Sequence, residues 1–244
     1  MSPDARRTRR PRSVRFENTP SLAVKPQRES RGRTEKARSS TWLGGHVLNP
    51  YIGFLTLCGI GVATFRLEPA LRLTLLWLVL LVLVLIDAES GRFKASYGLL
   101  NLGRGVLVGV VVALPFYLFA KDFFHATASL LYGVDDLLVL LERVVVLVPI
   151  LEEFFFRGVV QRERGLLEGA LFFGLAQALY FIPMAGGFPL VVGAFVLGMA
   201  LLGLLYGYLY QRYGLTTSIA CHVAVSFVLL VLPPLAARIG ILMG

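Results

Sequence analysis

Two adjacent carboxylates, Glu152 and Glu153, run straight out of the apolar segment 137–151 and are followed by three phenylalanines, Arg157 and Gly158. A charge inside a membrane span costs at least a few kcal/mol, so it is normally placed where it pairs or does chemistry. On a helix Glu153 and Arg157 share a face and can pair, with Glu in the favourable leading position. Glu152 points about 100° away from Glu153 on the same helix, which leaves it without a partner from its own helix. A carboxylate left without a partner inside a membrane span needs a functional reason to be there. His222 and Ser226, four residues apart, share a second helical face. Gln177 lies in a third apolar stretch.

The elements that must position these groups are membrane helices. The 244 residues are 56% hydrophobic, above the roughly 45–50% of a soluble domain, and the apolar residues form blocks rather than stripes. Candidate spans are 47–65, 69–86, 105–120, 137–156, 166–182, 189–210 and 215–235, each near the ~20 residues that cross the hydrocarbon core. The expected fold is an all-α polytopic membrane helix bundle of about seven transmembrane helices. Pro149 can kink the fourth and free a carbonyl, as suits an element that lines a cavity. The sixth is rich in glycine (Gly193, Gly198, Gly203, Gly207), and Gly203-x-x-x-Gly207 permits close helix approach.

Depth follows from the helical rise. Glu152 lies roughly 15 Å along the axis from the basic cluster at Arg162, Gln177 about 18 Å from the start of its span, and His222 about 13 Å from Tyr213. Three helices thus carry a carboxylate, an amide and an imidazole to similar depths. Taken singly, Gln177 or Ser226 also reads as interhelical glue, worth about 0.6 kcal/mol.

The first forty residues are a different material. Twelve Arg and Lys face four acids there, which accounts for +8 of the formal +9. With four prolines and almost no large apolar residues, residues 1–42 are expected to be a disordered basic cytoplasmic tail. Such a tail can read as nucleic-acid binding; directly before a membrane domain it serves as a topology signal and a contact for anionic lipids, and no nucleic acid is expected. No cleaved targeting segment is expected, because no apolar core follows the arginine pairs until residue 47. A cytoplasmic N terminus puts Arg92, Lys94 and Arg104, then Arg157, Arg162 and Arg164, then Arg212 on the inner side, leaving Arg66, Lys121 and the 183–188 turn outside. Residues 43–136 then form N-terminal transmembrane helices and 137–244 a core transmembrane domain. Cys58 and Cys221 lie in separate spans and read as apolar filler.

At residues 137–230 the chain resembles the CPBP family: the type II CAAX prenyl endopeptidases, bacteriocin-processing and bacteriocin-immunity proteins, and Abi-like relatives. Its Glu-Glu-x-x-x-Arg motif stands as Glu152, Glu153 and Arg157. Its Phe-x-x-x-His motif appears as Phe173-Gly-Leu-Ala-Gln177, with glutamine in place of histidine. Its His-x-x-x-Asn/Asp motif appears as His222-Val-Ala-Val-Ser226, with serine last. The resemblance implies an integral protein of the bacterial plasma membrane that hydrolyses peptide bonds of membrane-anchored or prenylated substrates within the bilayer. Glu152 would activate the water and His222 would polarise or position it; Glu153, Arg157, Phe173, Gln177 and Ser226 support them, Ser226 in the place of the oxyanion donor. Such a donor is worth about 2.7–4 kcal/mol, so serine there is not a silent change, and Gln177 can donate a hydrogen bond but cannot take a proton.

No cofactor or metal is expected, since catalytic zinc wants three protein ligands and His222 with Glu152 and Glu153 is the best set available. His-Glu-x-x-His, Gly-x-Ser-x-Gly and Gly-x-Gly-Asp are all absent from the sequence, which removes zincin-type, serine and aspartyl intramembrane proteases. The alternative is an inactive relative that serves as a membrane scaffold, peptide-binding or bacteriocin-immunity protein. A transporter is disfavoured by the lack of internal repeats or paired broken helices.

Overall fold

Each helix of the computed structural model begins or ends on a residue chosen for that task. Asn49 caps α1 (Pro50–Ala63) by accepting from the Tyr51 amide at 3.0 Å, and Glu68 caps α2 (Pro69–Ala88) by accepting from Ala70 and Leu71. Both helices start with proline, whose missing N–H costs nothing in the first turn. Asp136 caps α4 (137–164) through Leu138 and Val139. Gly165 and Gly214, at φ 92° and 94°, stop α4 and α6 in a backbone region that disfavours side chains. The other helices are α3 (Leu99–Tyr132), α5 (Leu166–Phe181), α6 (Pro189–Tyr213) and α7 (215–243).

The structure describes residues 48–89, 98–133, 136–181 and 189–243, all within the unit Gly45–Gly244. The basic tail, Arg92, Lys94 and the 183–188 turn lie outside the described residues.

The described residues form an all-α bundle of seven helices, each overlapping one of the candidate spans. Four contain stretches long and apolar enough to cross a membrane: Pro69–Ala88, Leu99–Tyr132, Val192–Tyr213 and Leu215–Gly240. α1 and α5 are apolar but shorter, and α4 carries its own charges. Large side chains such as Ile52, Leu107, Phe119 and Leu197 point outward, as they do when lipid rather than water is the solvent.

One sequence expectation is corrected. The third helix does not end at Ala120 with Lys121 in a connecting loop; it breaks at Ala120 (φ −135°, ψ 24°) and continues to Tyr132. Arg157, counted from the sequence among the inner-side cations, is fully buried beside Glu153.

Helix α3 packs most extensively on α7, and α5 on α6. Gly105 and Gly109 make the first contact possible. A Cβ on Gly109 would stand 2.5 Å from the Cys221 carbonyl oxygen, and one on Gly105 would run into the Thr217 carbonyl. On α6, Gly203 and Gly207 seat against Ala170 and Gln161, whereas Gly193 and Gly198 face open space. On either side of the short α segment Val148–Glu153, which contains Pro149, α4 widens into π-helical turns at Glu142–Leu147 and Phe154–Gln161. Turns of this kind rotate side chains out of regular register and recur at functional sites. The Glu pair ends the α segment.

Candidate active site

Glu153 is the hub of a buried ionic knot. Arg157, one turn on, places Nε 3.2 Å from its Oε2, both side chains at 0% exposure. Ser218 of α7 donates to the same oxygen, and His222 Nδ1 lies 3.0 Å from Oε1. With Arg157 holding the charge, the carboxylate accepts and the imidazole must donate through Nδ1. That directs Nε2 toward Glu152, whose Oε2 is 3.8 Å away. The arrangement has the logic of a carboxylate that sets the tautomer and orientation of a working histidine.

The rings around it leave the imidazole little freedom. Tyr206 stacks on His222 with centroids 4.7 Å apart and planes 17° from parallel, and Phe173 meets it edge-on at 5.6 Å. The Arg157 guanidinium lies 5.0 Å from the Phe173 centroid and 5.8 Å from that of Tyr206, and its Nη1 donates to the Gly169 carbonyl at 3.3 Å. Phe173, wholly buried, is therefore the aromatic spacer between the cation and the imidazole.

Glu152 is fully buried and takes no partner from its own helix; Gln177 Nε2 donates to its Oε2 at 2.9 Å. Its Oε1 holds no hydrogen bond. Glu152, Gln177, His222 and Ser226 all line one cavity of about 80 Å³, ample for several waters at roughly 10–15 Å³ each. The segment of α3 beyond the Ala120 break roofs it through Phe123, Phe124 and Tyr132. An apolar annex of about 160 Å³ adjoins it, sharing Phe124, Met199 and Val225 and reaching Phe116 and Gly198.

All seven residues singled out from the sequence thus fall in one place: four on the cavity wall, and Glu153, Arg157 and Phe173 packed behind it. Sequence reasoning passed over Ser218, Tyr206, Tyr180 and Arg72. Ser218 was within reach, since it stands one turn before His222 on the same face; Tyr206 and Tyr180 look like ordinary aromatic filling until their neighbours are known.

Glu153 is committed to Arg157, Ser218 and His222, so Glu152 and His222 Nε2 supply the carboxylate and imidazole ligand atoms on the cavity wall. Two fall short of the three protein ligands of a catalytic zinc, and among the described residues no group of three His, Cys, Asp or Glu side chains is placed to hold a metal ion.

Residues 135–228 match the model of the family described as type II CAAX prenyl endopeptidase Rce1-like. The matched segment contains every residue from Glu152 to Ser226 discussed above, and it supports membership of the CPBP family and of its CAAX-type intramembrane proteases. With the apolar helices it marks an integral membrane protein. No curated protein and no solved structure matches the chain.

Proposed function

We propose that the chain is an intramembrane endopeptidase that hydrolyses a peptide bond of a membrane-anchored or CAAX-type substrate with a water activated by Glu152. The observation that carries this reading is the 3.8 Å gap between Glu152 Oε2 and His222 Nε2 on the wall of the cavity between the helices. A water beside that gap gives its proton to Glu152 and is oriented by the imidazole, and its oxygen attacks the scissile carbonyl carbon. The Ser226 hydroxyl, on the same cavity wall, donates to the resulting oxyanion, and Glu152 returns the proton to the leaving amine. Gln177 holds the base in position without competing for the proton.

An inactive relative is the second reading, favoured by the amide of Gln177 already bound to the proposed base and by serine in the oxyanion position. The orientation that best suits the basic residues has a cytoplasmic N terminus in a bacterial plasma membrane, with seven spans and with the tail against anionic lipids.

A prenylated CAAX-type peptide offered to the purified protein separates the readings. Cleavage by wild type and its loss in Glu152→Ala are the expected results. Silence of wild type with gain of cleavage in Gln177→His would identify the inactive relative, and equal cleavage by wild type and Glu152→Ala would refute the mechanism.

A further inference from the structure

Helix α2 lies outside the matched segment, yet it buries a cation that the proposed reaction does not use. Arg72 is 4% exposed within an apolar helix, a position where a guanidinium is costly and therefore seldom idle. Among the described residues no carboxylate pairs with it. Its Nη2 instead donates to the carbonyls of Gly61, at 3.1 Å, and Leu179. The first tethers α1; the second pins the end of α5, one peptide before Tyr180.

Tyr180 is equally unusual. It is 4% exposed and its hydroxyl has no hydrogen-bond partner. Tyr180 follows Gln177 by three residues and so shares its face of α5, and Gln177 already reaches across that face to the Glu152 carboxyl. Glu152 Oε1 also lacks a partner. Two orphaned buried polar groups of complementary kind, an O–H and a carboxylate oxygen, thus belong to the facing surfaces of α5 and α4, and each can satisfy the other.

We propose that Tyr180 is a positioning residue for Glu152: its hydroxyl donates to Oε1 while Gln177 donates to Oε2, and Arg72 fixes Tyr180 through the Leu179 carbonyl. This rests on the reading of Glu152 as the reacting carboxylate. Donors on both oxygens stop the carboxylate from rotating, and each oxygen keeps a lone pair free. The oxygen that faces His222 Nε2 then stays there. Helix α2 so becomes part of the site without touching the substrate.

The test follows the reactivity of Glu152 directly. The full chain in lipid nanodiscs is treated at fixed pH with a hydrophobic carbodiimide, and labelling of Glu152 is read by peptide mass spectrometry relative to the surface residue Glu163. Tyr180→Phe keeps the ring and removes only the donor, so Glu152 is expected to label about tenfold faster, the factor that loss of one hydrogen bond to a charged group implies. Arg72→Lys, which keeps the charge but ends about one bond short of the Nη2 that donates to both carbonyls, is expected to fall between. Cleavage by Tyr180→Phe is expected to lose kcat with KM unchanged. A folded Tyr180→Phe protein that labels at the wild-type rate overturns the proposal, and an Arg72→Lys protein that does so overturns the part given to Arg72. If wild type cleaves no peptide while the labelling difference persists, the endopeptidase reading fails and the Tyr180–Glu152 contact stands.

Discussion

Breaking the Glu153–Arg157 pair on one side should cost far more than removing it whole. At 3.2 Å two unit charges attract by about 5 kcal/mol for an effective dielectric of ~20, and both side chains are out of contact with solvent. Arg157→Met leaves the Glu153 charge with only the Ser218 and His222 donors, and Glu153→Gln strands the guanidinium between Phe173 and Tyr206. Each single variant is expected to lose about 3–5 kcal/mol, most of it the penalty of an uncompensated buried charge. The double variant carries no such charge and should lose only about 2 kcal/mol, the part owed to the cation–π contacts. Stability can be followed by titrating sodium dodecyl sulfate into detergent micelles and recording the reaction of Cys221 with a thiol dye, in a Cys58→Ser background. Cys221 is wholly buried and Cys58 half-buried, so the signal then reports opening of the α7 core. If the double variant loses as much as the two singles together, to within about 0.5 kcal/mol, the knot is not coupled and the account of His222 orientation goes with it.

Three further outcomes are expected. Phe173→Ala should cost about 3–5 kcal/mol and also abolish cleavage, since it removes the ring that separates Arg157 from His222; unchanged stability in the same titration would contradict that packing. Gly109→Leu must push α3 off the Cys221 carbonyl, costing about 1–3 kcal/mol; a variant as stable as wild type denies the close seam. At Glu68, hydrogen bonds from the Ala70 and Leu71 amides hold the folded carboxyl below its ordinary value of 4.5. Its stabilising effect is therefore complete above the unfolded value and lost as pH falls through the folded one. The difference in melting temperature between wild type and Glu68→Ala should hold near neutrality and shrink in acid, and a difference that does not shrink anywhere below the unfolded value speaks against the cap.

Several parts of the site were legible because they are local. The four-residue spacing of Glu153 and Arg157 and the absence of an own-helix partner for Glu152 follow from helical geometry alone. The convergence of Glu152, Gln177 and His222 was readable because a polar residue within an apolar run has few places to go except toward another. The course of α3 beyond Ala120 was hidden for the converse reason. Lys121 interrupts the apolar pattern and reads as lying beyond the span, whereas the segment stays helical to Tyr132 and lies over the cavity. The pairing of Arg157 was legible but its burial was not: counting charges assigns a cation near a span end to the inner side, and only the packing of Phe173 and Tyr206 around it shows that it is covered.

Sequence alone decided that the chain must satisfy its backbone within helices, that lipid is the solvent for most of its surface, and which carboxylate would be braced and which left free. These depend on composition and on periods of three or four residues. Only the tertiary structure decided that Glu153 would orient His222, that Gln177 would hold Glu152, and that Arg72 and Tyr180 would stand behind them. Those contacts join residues 25 to more than 100 positions apart. No local pattern encodes such pairings; they exist because small residues such as Gly105 and Gly109 let the helices approach until buried polar groups can reach one another.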